Sequence, residues 1–306
     1  MNAVAEATCK QRIQRAIDYI ERNLTNDVSL GSAAAAACWS PYHFMRTFHA
    51  ITGCTVAEYV RERRMDLAAY RLVFGGERIL DVAMDVGYET QEAFTRAFKR
   101  SYGSSPGRYR AVGAYRMRRA RLEVVRRLEL FRADKRGGRE MEPTIKQIGP
   151  LHIMGAELRT NGDGSNREQI PQFWQRFLTE RTFERIPGTT RSGVSYGLCT
   201  KMDEETGDFS YVIGTEVSES AAPPAGLSVF DVAAATYAVF TARGRVAEGE
   251  YTQAIQQAWG YAYGEWFPNS TEWERAEGDD FELYDDSRMN ADVAECDICI
   301  PVEKKQ

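Results

Sequence analysis

The sequence predicts two domains of different class, an all-α first part followed by an α+β second part. Three observations carry this. A pattern of helical period recurs within the first 110 residues at an offset of 50, strand-like alternation begins only after residue 142, and the charge changes sign between the parts. Residues 1–140 hold 25 Lys and Arg against 16 Asp and Glu, a net +9, whereas residues 141–306 hold 14 against 28, a net −14. A basic part attracts phosphates and an acidic part repels them, so the two parts call for different partners. At 306 residues each part is long enough for its own core, and 43% hydrophobic with 27% charged content is that of a soluble globular chain.

Taken in order, Arg12–Leu24 sets Ile13, Ala16, Ile17 and Ile20 at helical spacing and ends at Asn26-Asp27. The alanine-rich run Leu30–Ala37 has high helix propensity and breaks at Cys38-Trp39. Ser40-Pro41-Tyr42-His43-Phe44-Met45-Arg46-Thr47-Phe48 follows. Here Ser40 stands as an N-cap that accepts from free backbone N–H groups, and Phe44 and Phe48 share one face. Val60–Phe74 reads as one long helix closed by Gly75-Gly76.

The unit then returns. Ile79–Val86 is amphipathic, Gly87-Tyr88 breaks it, and Thr90 caps Gln91-Glu92-Ala93-Phe94-Thr95-Arg96-Ala97-Phe98, with Gly53/Gly103 and Tyr59/Tyr109 keeping the same offset. Helix, tight turn and second helix make a helix-turn-helix, whose second helix enters the DNA major groove. Two such units on one chain, held apart by a rigid helix, predict contacts to successive groove segments about 34 Å apart. Tyr42, Met45 and Arg46 in the first reading helix, and Gln91, Glu92, Thr95 and Arg96 in the second, are expected to face outward. Arg pairs with guanine, Gln with adenine, and an apolar side chain meets a thymine methyl. An i, i+4 surface ion pair between Glu92 and Arg96 is the alternative for those two residues.

These motifs, with Ile79-Leu80-Asp81-Val82-Ala83 and Ser105-Pro106-Gly107-Arg108-Tyr109-Arg110, resemble the AraC/XylS family of bacterial transcription regulators over the first third of the chain. The resemblance implies a DNA-binding domain at 1–112 and promoter DNA and RNA polymerase as partners. Of the expected DNA-site residues, Ser40 and Thr90 cap the two reading helices. Tyr42, Met45, Arg46, Gln91, Glu92 and Arg96 match family positions that approach bases. The family has Gly at the first turn where Cys38 stands, and a non-Gly residue with positive φ is strained there.

Residues 113–140 form a basic linker carrying Arg116, Arg118, Arg119, Arg121, Arg126, Arg127, Arg132, Arg136 and Arg139, with Gly137-Gly138 at the boundary. The run is either a solvated face or a source of added phosphate contacts. From residue 142 the period changes. Thr144–Leu158 reads as a strand broken at Gly149-Pro150, Ile170–Phe183 as a helix, and Arg191–Met202 and Phe209–Ser218 as strands. The order repeats with a strand at Leu227–Thr241, a helix at Glu250–Trp266, and strands at Asp280–Asp285 and Cys296–Val302. A duplicated strand-helix-strand-strand unit implies one α+β sheet with a groove where the halves meet.

Thr236-Tyr237-Ala238-Val239-Phe240, Glu265-Trp266-Phe267-Pro268-Asn269-Ser270, Phe281-Glu282-Leu283-Tyr284 and Asp297-Ile298-Cys299-Ile300-Pro301-Val302 resemble the GyrI-like effector-binding domain, placed at 141–306. The resemblance implies an aromatic groove with an acidic residue, carried over to Glu282. Alternation puts Glu282 and Tyr284 on one strand face and Phe281 and Leu283 on the other. A carboxylate among aromatic rings suits a lipophilic cation or aromatic effector. The expected walls are Trp174, Tyr196, Tyr211, Trp259, Tyr263, Trp266 and Tyr284, any of which is otherwise a core residue, as Glu282 is otherwise a solvated one. Two further readings of this part are a small-molecule hydrolase using Glu282 with a Tyr, and a protein-interaction module without a ligand. No nucleophile elbow, phosphate loop or metal cluster is visible.

The cysteines are scattered, and in Cys296-Asp297-Ile298-Cys299 the thiols point to opposite faces of a strand, so the expectation is reduced thiols and no metal or cofactor. Neither a signal peptide nor an apolar run of about 18 residues is visible, so a cytoplasmic chain without membrane contact is expected.

Overall fold

The structure, a computed structural model, describes residues 3–122, 141–161, 166–203, 206–246, 249–290 and 292–305. Contacts divide the chain into two compact units, Lys10–Phe131 and Arg132–Gln306 with Met1–Cys9.

The helical unit contains α1 (Ala3–Arg22) from Lys10 onward, α2 (Leu30–Ala37), α3 (Pro41–Thr52), α4 (Val56–Phe74), α5 (Ile79–Asp85), α6 (Gln91–Tyr102) and α7 (Pro106–Val112). Both reading helices, α3 and α6, start on the expected caps, Ser40 Oγ accepting from the His43 N–H and Thr90 Oγ1 from the Ala93 N–H. Both end on glycines in the left-handed region, Gly53 and Gly103. Phe94 and Phe98 pack with Val82, Ala83 and Val86 of the second unit against Met65, Ala68, Ala69 and Leu72 of α4.

The two turns share one hydrogen-bond pattern. The Cys38 and Trp39 N–H groups donate to Ala35 and Ala34 carbonyls, as those of Gly87 and Tyr88 donate to Met84 and Ala83. Cys38 therefore adopts the left-handed geometry of Gly87, with φ 55° against 88°, at a cost of roughly 1–2 kcal/mol for a residue with a Cβ. The first helices of the two units correspond at an offset of 49 and the reading helices at 50, because Glu89 adds one residue to the second turn.

After α7 the chain runs without helix over residues 113–122 along α4. Of the basic linker, Arg126, Arg127, Arg132, Arg136, Arg139 and the Gly137-Gly138 boundary lie outside the described residues.

In the second unit all strand pairs are antiparallel, in the order β1-β6-β9-β8-β3-β4-β2-β5. The strands are β1 (Thr144–Ile148), β2 (Leu151–Asn161), β3 (Val194–Thr200), β4 (Asp208–Glu216), β5 (Ser228–Val232), β6 (Ala235–Arg245), β8 (Asp280–Asp285) and β9 (Val293–Lys304), with a short β7 (Trp273–Arg275) paired to β9. The two long helices among the described residues are α8 (Asn166–Thr179) and α9 (Glu250–Tyr261). The expected single strand at Leu227–Thr241 is two strands, β5 and β6, and β7 was not foreseen. The break falls at Val232-Ala233-Ala234-Ala235, an apolar stretch without Gly or Pro that gives no local sign of it.

The order contains the duplication. Each repeat is strand, helix, strand, strand (β2-α8-β3-β4 and β6-α9-β8-β9), and the repeats meet through β3 and β8. The leading strands cross over, β1 pairing with β6 and β5 with β2. Only two residues separate β1 from β2, and two separate β5 from β6, although these partners lie toward opposite ends of the sheet. Such a link spans at most roughly 11 Å, so the sheet must curl until its ends approach. The curl closes over Leu151, Tyr196, Val212, Phe230, Val239 and Phe281 among others.

Candidate functional site

Strand parity sets the site. Glu282 on β8 lies opposite Gly197 on β3 and Ile298 on β9, and that row continues to Phe240 on β6. This is the face opposite Phe281 and Leu283, which belong to the core inside the curl. Both helices lie on the Glu282 face, α8 over β2 and β4 and α9 over β6 and β9.

Glu282 is 8% exposed and accepts three hydrogen bonds. The Tyr211 hydroxyl donates to Oε2 at 2.6 Å, the Tyr284 hydroxyl to the same oxygen at 2.9 Å, and the Trp259 indole N–H to Oε1 at 2.8 Å. Trp174, from α8, donates its indole N–H to the Tyr211 oxygen at 2.9 Å and sets its ring edge against Tyr284 at 5.0 Å. Burial, and then the neighbouring Glu282 charge, push both phenols well above the ordinary tyrosine value, so they remain protonated donors. No described Lys, Arg or His forms an ion pair with Glu282, so the donors that hold this buried carboxylate are all neutral.

Of the expected wall residues, Trp174, Tyr211, Trp259 and Tyr284 converge on Glu282. Tyr263 stands one step back: its ring stacks on Trp259 at 6.2 Å, its hydroxyl donates to the buried Asp280 at 2.7 Å, and Arg275 closes that group through an ion pair to Asp280. Two expectations are corrected. Tyr196 points into the curl, where it packs on Phe281 and its hydroxyl meets Glu216 and Arg191, because it is one residue from Gly197 and parity reverses its direction. Trp266 packs on Phe240 and Phe267 instead of reaching the carboxylate. Seven residues after Trp259 it would share a face in an α-helix, but Ala262–Trp266 is a π-helical turn that shifts the register.

Gly197 was missed. A Cβ there would stand 2.2 Å from the Tyr211 hydroxyl and 2.8 Å from Glu282 Oε2, so the close approach of phenol and carboxylate depends on its bare backbone. The available signal was a glycine inside a strand, which marks such an approach.

In the helical unit Gln91, Glu92 and Arg96 are exposed and Thr95 half-buried at the start of α6. No ion pair joins Glu92 to Arg96 among the described residues. Ser40 and Thr90 are exposed, with their hydroxyl oxygens committed to capping. The outward face of α3 is narrower than expected. Tyr42 and Met45 are 8% and 7% exposed, and only Arg46 of the three is half-open. The Arg46 guanidinium lies over the Tyr42 ring at 5.1 Å and donates through Nε and Nη2 to its oxygen at 3.0 and 2.8 Å. Whereas α6 buries only Phe94 and Phe98, α3 buries eight of its twelve residues. The Phe pair shared by both helices does not report this width; the apolar Tyr42 and Met45, where α6 has Glu92 and Thr95, do.

Residues 141–303 match the GyrI-like small molecule binding domain, and residues 33–111 a helix-turn-helix domain. The uncharacterized HTH-type transcriptional regulator YbfP of Bacillus subtilis is 39% identical over 101 residues, 33% of this chain and 34% of that protein. The regulatory protein SoxS of Salmonella typhimurium is 35% identical over 101 residues, 33% of this chain and 94% of that protein. The transcriptional regulator Rob of the same organism is 29% identical over 160 residues, 52% of this chain and 54% of that protein. The matches thus span about a third of YbfP and half of Rob, but nearly all of SoxS. With a GyrI-like match over more than half its length behind an AraC-type helix-turn-helix region, the chain belongs to the AraC-type regulators that carry a GyrI-like small-molecule-binding domain.

Proposed function

We propose that this chain is a DNA-binding transcriptional regulator whose second domain binds a lipophilic, aromatic cation against Glu282. The carrying observation is a buried carboxylate whose donors are three neutral groups, with no cationic side chain paired to it among the described residues. A buried anion without a counter-charge is costly, and a cation entering among indole and phenol rings supplies both the missing charge and cation–π contact. In this reading residues 1–112 bind promoter DNA, 113–140 link, and 141–306 bind the effector without turning it over, while RNA polymerase is the further partner. Arg46, Gln91, Glu92 and Arg96 read bases, and Tyr42 acts through Arg46.

Tryptophan fluorescence tests this, because Trp174 and Trp259 both belong to the Glu282 cluster. Titration with a series of lipophilic quaternary ammonium cations is expected to give saturable quenching, and a neutral aromatic of the same size a much weaker response. Equal responses to cation and neutral probe would remove the charge argument, and product formation on incubation would favour a hydrolase.

A further inference from the structure

The segment that follows α7 has no secondary structure, yet its backbone is held by side chains at four points. The Arg116 N–H donates to the Tyr109 hydroxyl at 2.9 Å, those of Arg118 and Arg119 to the two oxygens of Asp66 at 3.0 and 2.8 Å, and that of Leu122 to the Tyr59 hydroxyl at 3.3 Å. Asp66 lies in the middle of α4, 2% exposed, and also accepts from the Tyr102 hydroxyl of α6. Arg63 carries the segment further. Its Nη1 donates to the Arg119 carbonyl at 2.8 Å, and its other nitrogens pair with Glu21 of α1 at 2.7 and 2.9 Å. Arg119 adds an ion pair to Glu62 and Arg121 one to Asp18.

The path runs from α6 and α7, at Tyr102 and Tyr109, along α4 from Asp66 to Glu62 and Tyr59, and on to α1 at Asp18, with Arg119 Nη2 also reaching Cys54 Sγ, two residues beyond α3, at 3.2 Å. A buried carboxylate that receives two consecutive backbone N–H groups and a phenol satisfies donors that would otherwise be orphaned, so it cannot be released piecemeal. We propose that residues 114–122 form a brace, locked by Asp66, that fixes the distance and rotation between the two reading helices and so sets the base-pair spacing the chain accepts. Asp66 is then a positioning residue for DNA recognition that touches no DNA. The proposal rests on both helix-turn-helix units engaging one duplex. Two modules joined rigidly at the matching span bind with high effective concentration and reject other spans, whereas a loose joint lowers the first and widens the second.

The test uses the full chain and duplexes that it selects from a random pool, with one or two base pairs then inserted between the two recognised segments. Wild type is expected to lose about tenfold or more in affinity on insertion, and Asp66→Asn to bind the uninserted duplex about tenfold more weakly while its insertion penalty shrinks to about threefold or less. An Asp66→Asn chain that keeps the wild-type penalty would overturn the brace, because general loss of stability lowers affinity without changing spacing preference. Should Asp66→Asn not fold, the Tyr59→Phe/Tyr109→Phe chain, which removes the phenols receiving the Leu122 and Arg116 N–H groups and, with the first, a hydrogen bond to Glu21, carries the same comparison. A wild-type protein selecting only one short segment would overturn the tandem reading and the brace together.

Discussion

The Trp259 indole N–H donates to Glu282 Oε1 at 2.8 Å, joining the helix of the second repeat to the strand at which the two repeats meet. Glu282→Gln keeps the shape but removes the charge. It is expected to weaken binding of lipophilic cations by roughly 2–4 kcal/mol, the Coulomb attraction of unit charges about 4–8 Å apart at an effective dielectric of about 20, and to leave neutral aromatics within about threefold. Isothermal titration of both probe classes checks this, and an equal loss for both would assign Glu282 a structural role.

Gly197 separates the site's packing from its charge. Gly197→Ala places a methyl group against Tyr211 and Glu282, and an overpacked buried position of this kind costs about 1–3 kcal/mol. Thermal unfolding and cation titration should both suffer. Full retention of binding would mean that Tyr211 can move without consequence.

The two tyrosines of neighbouring strands make a controlled pair. Tyr211→Phe removes the donor to Glu282 and the acceptor for Trp174, whereas Tyr196→Phe alters only the opposite face. Cation affinity is expected to change for the first variant and to stay within about twofold of wild type for the second.

On the DNA side, Tyr42→Phe keeps the ring but deletes the oxygen that receives two Arg46 N–H groups. In a binding-site selection it should relax preference at the position that Arg46→Ala also relaxes, by about 1 kcal/mol or less against about 1–3 for loss of the guanidinium. Loss of preference at a different position would make Tyr42 a base reader in its own right.

His152 makes one contribution to the pH dependence of stability. The Asp231 hydrogen bond, aided by the nearby charges of Asp231 and Glu219, raises the His152 pKa above 6.5. The stability it contributes is fully present below 6.5 and is lost as pH rises through the folded value. The melting temperature of His152→Gln should therefore fall below wild type near about pH 6 and converge with it by about pH 9. A constant difference across that range would exclude the linkage.

The sequence determined the parts that depend on period and local chemistry. The charge division follows from composition and the caps Ser40 and Thr90 from residue type, while the phenylalanine pairs and the sharing of one face by Glu282 and Tyr284 follow from spacing, because 3.6- and 2-residue periods fix direction within an element. Tertiary structure decided which elements face each other. It sent Tyr196 into the curl, turned Trp266 away at a π-helical turn, covered Tyr42 and Met45, and set Gly197 against Glu282. It also laid an expected linker along Asp66, since a segment without periodicity takes its path from distant side chains that no local pattern announces.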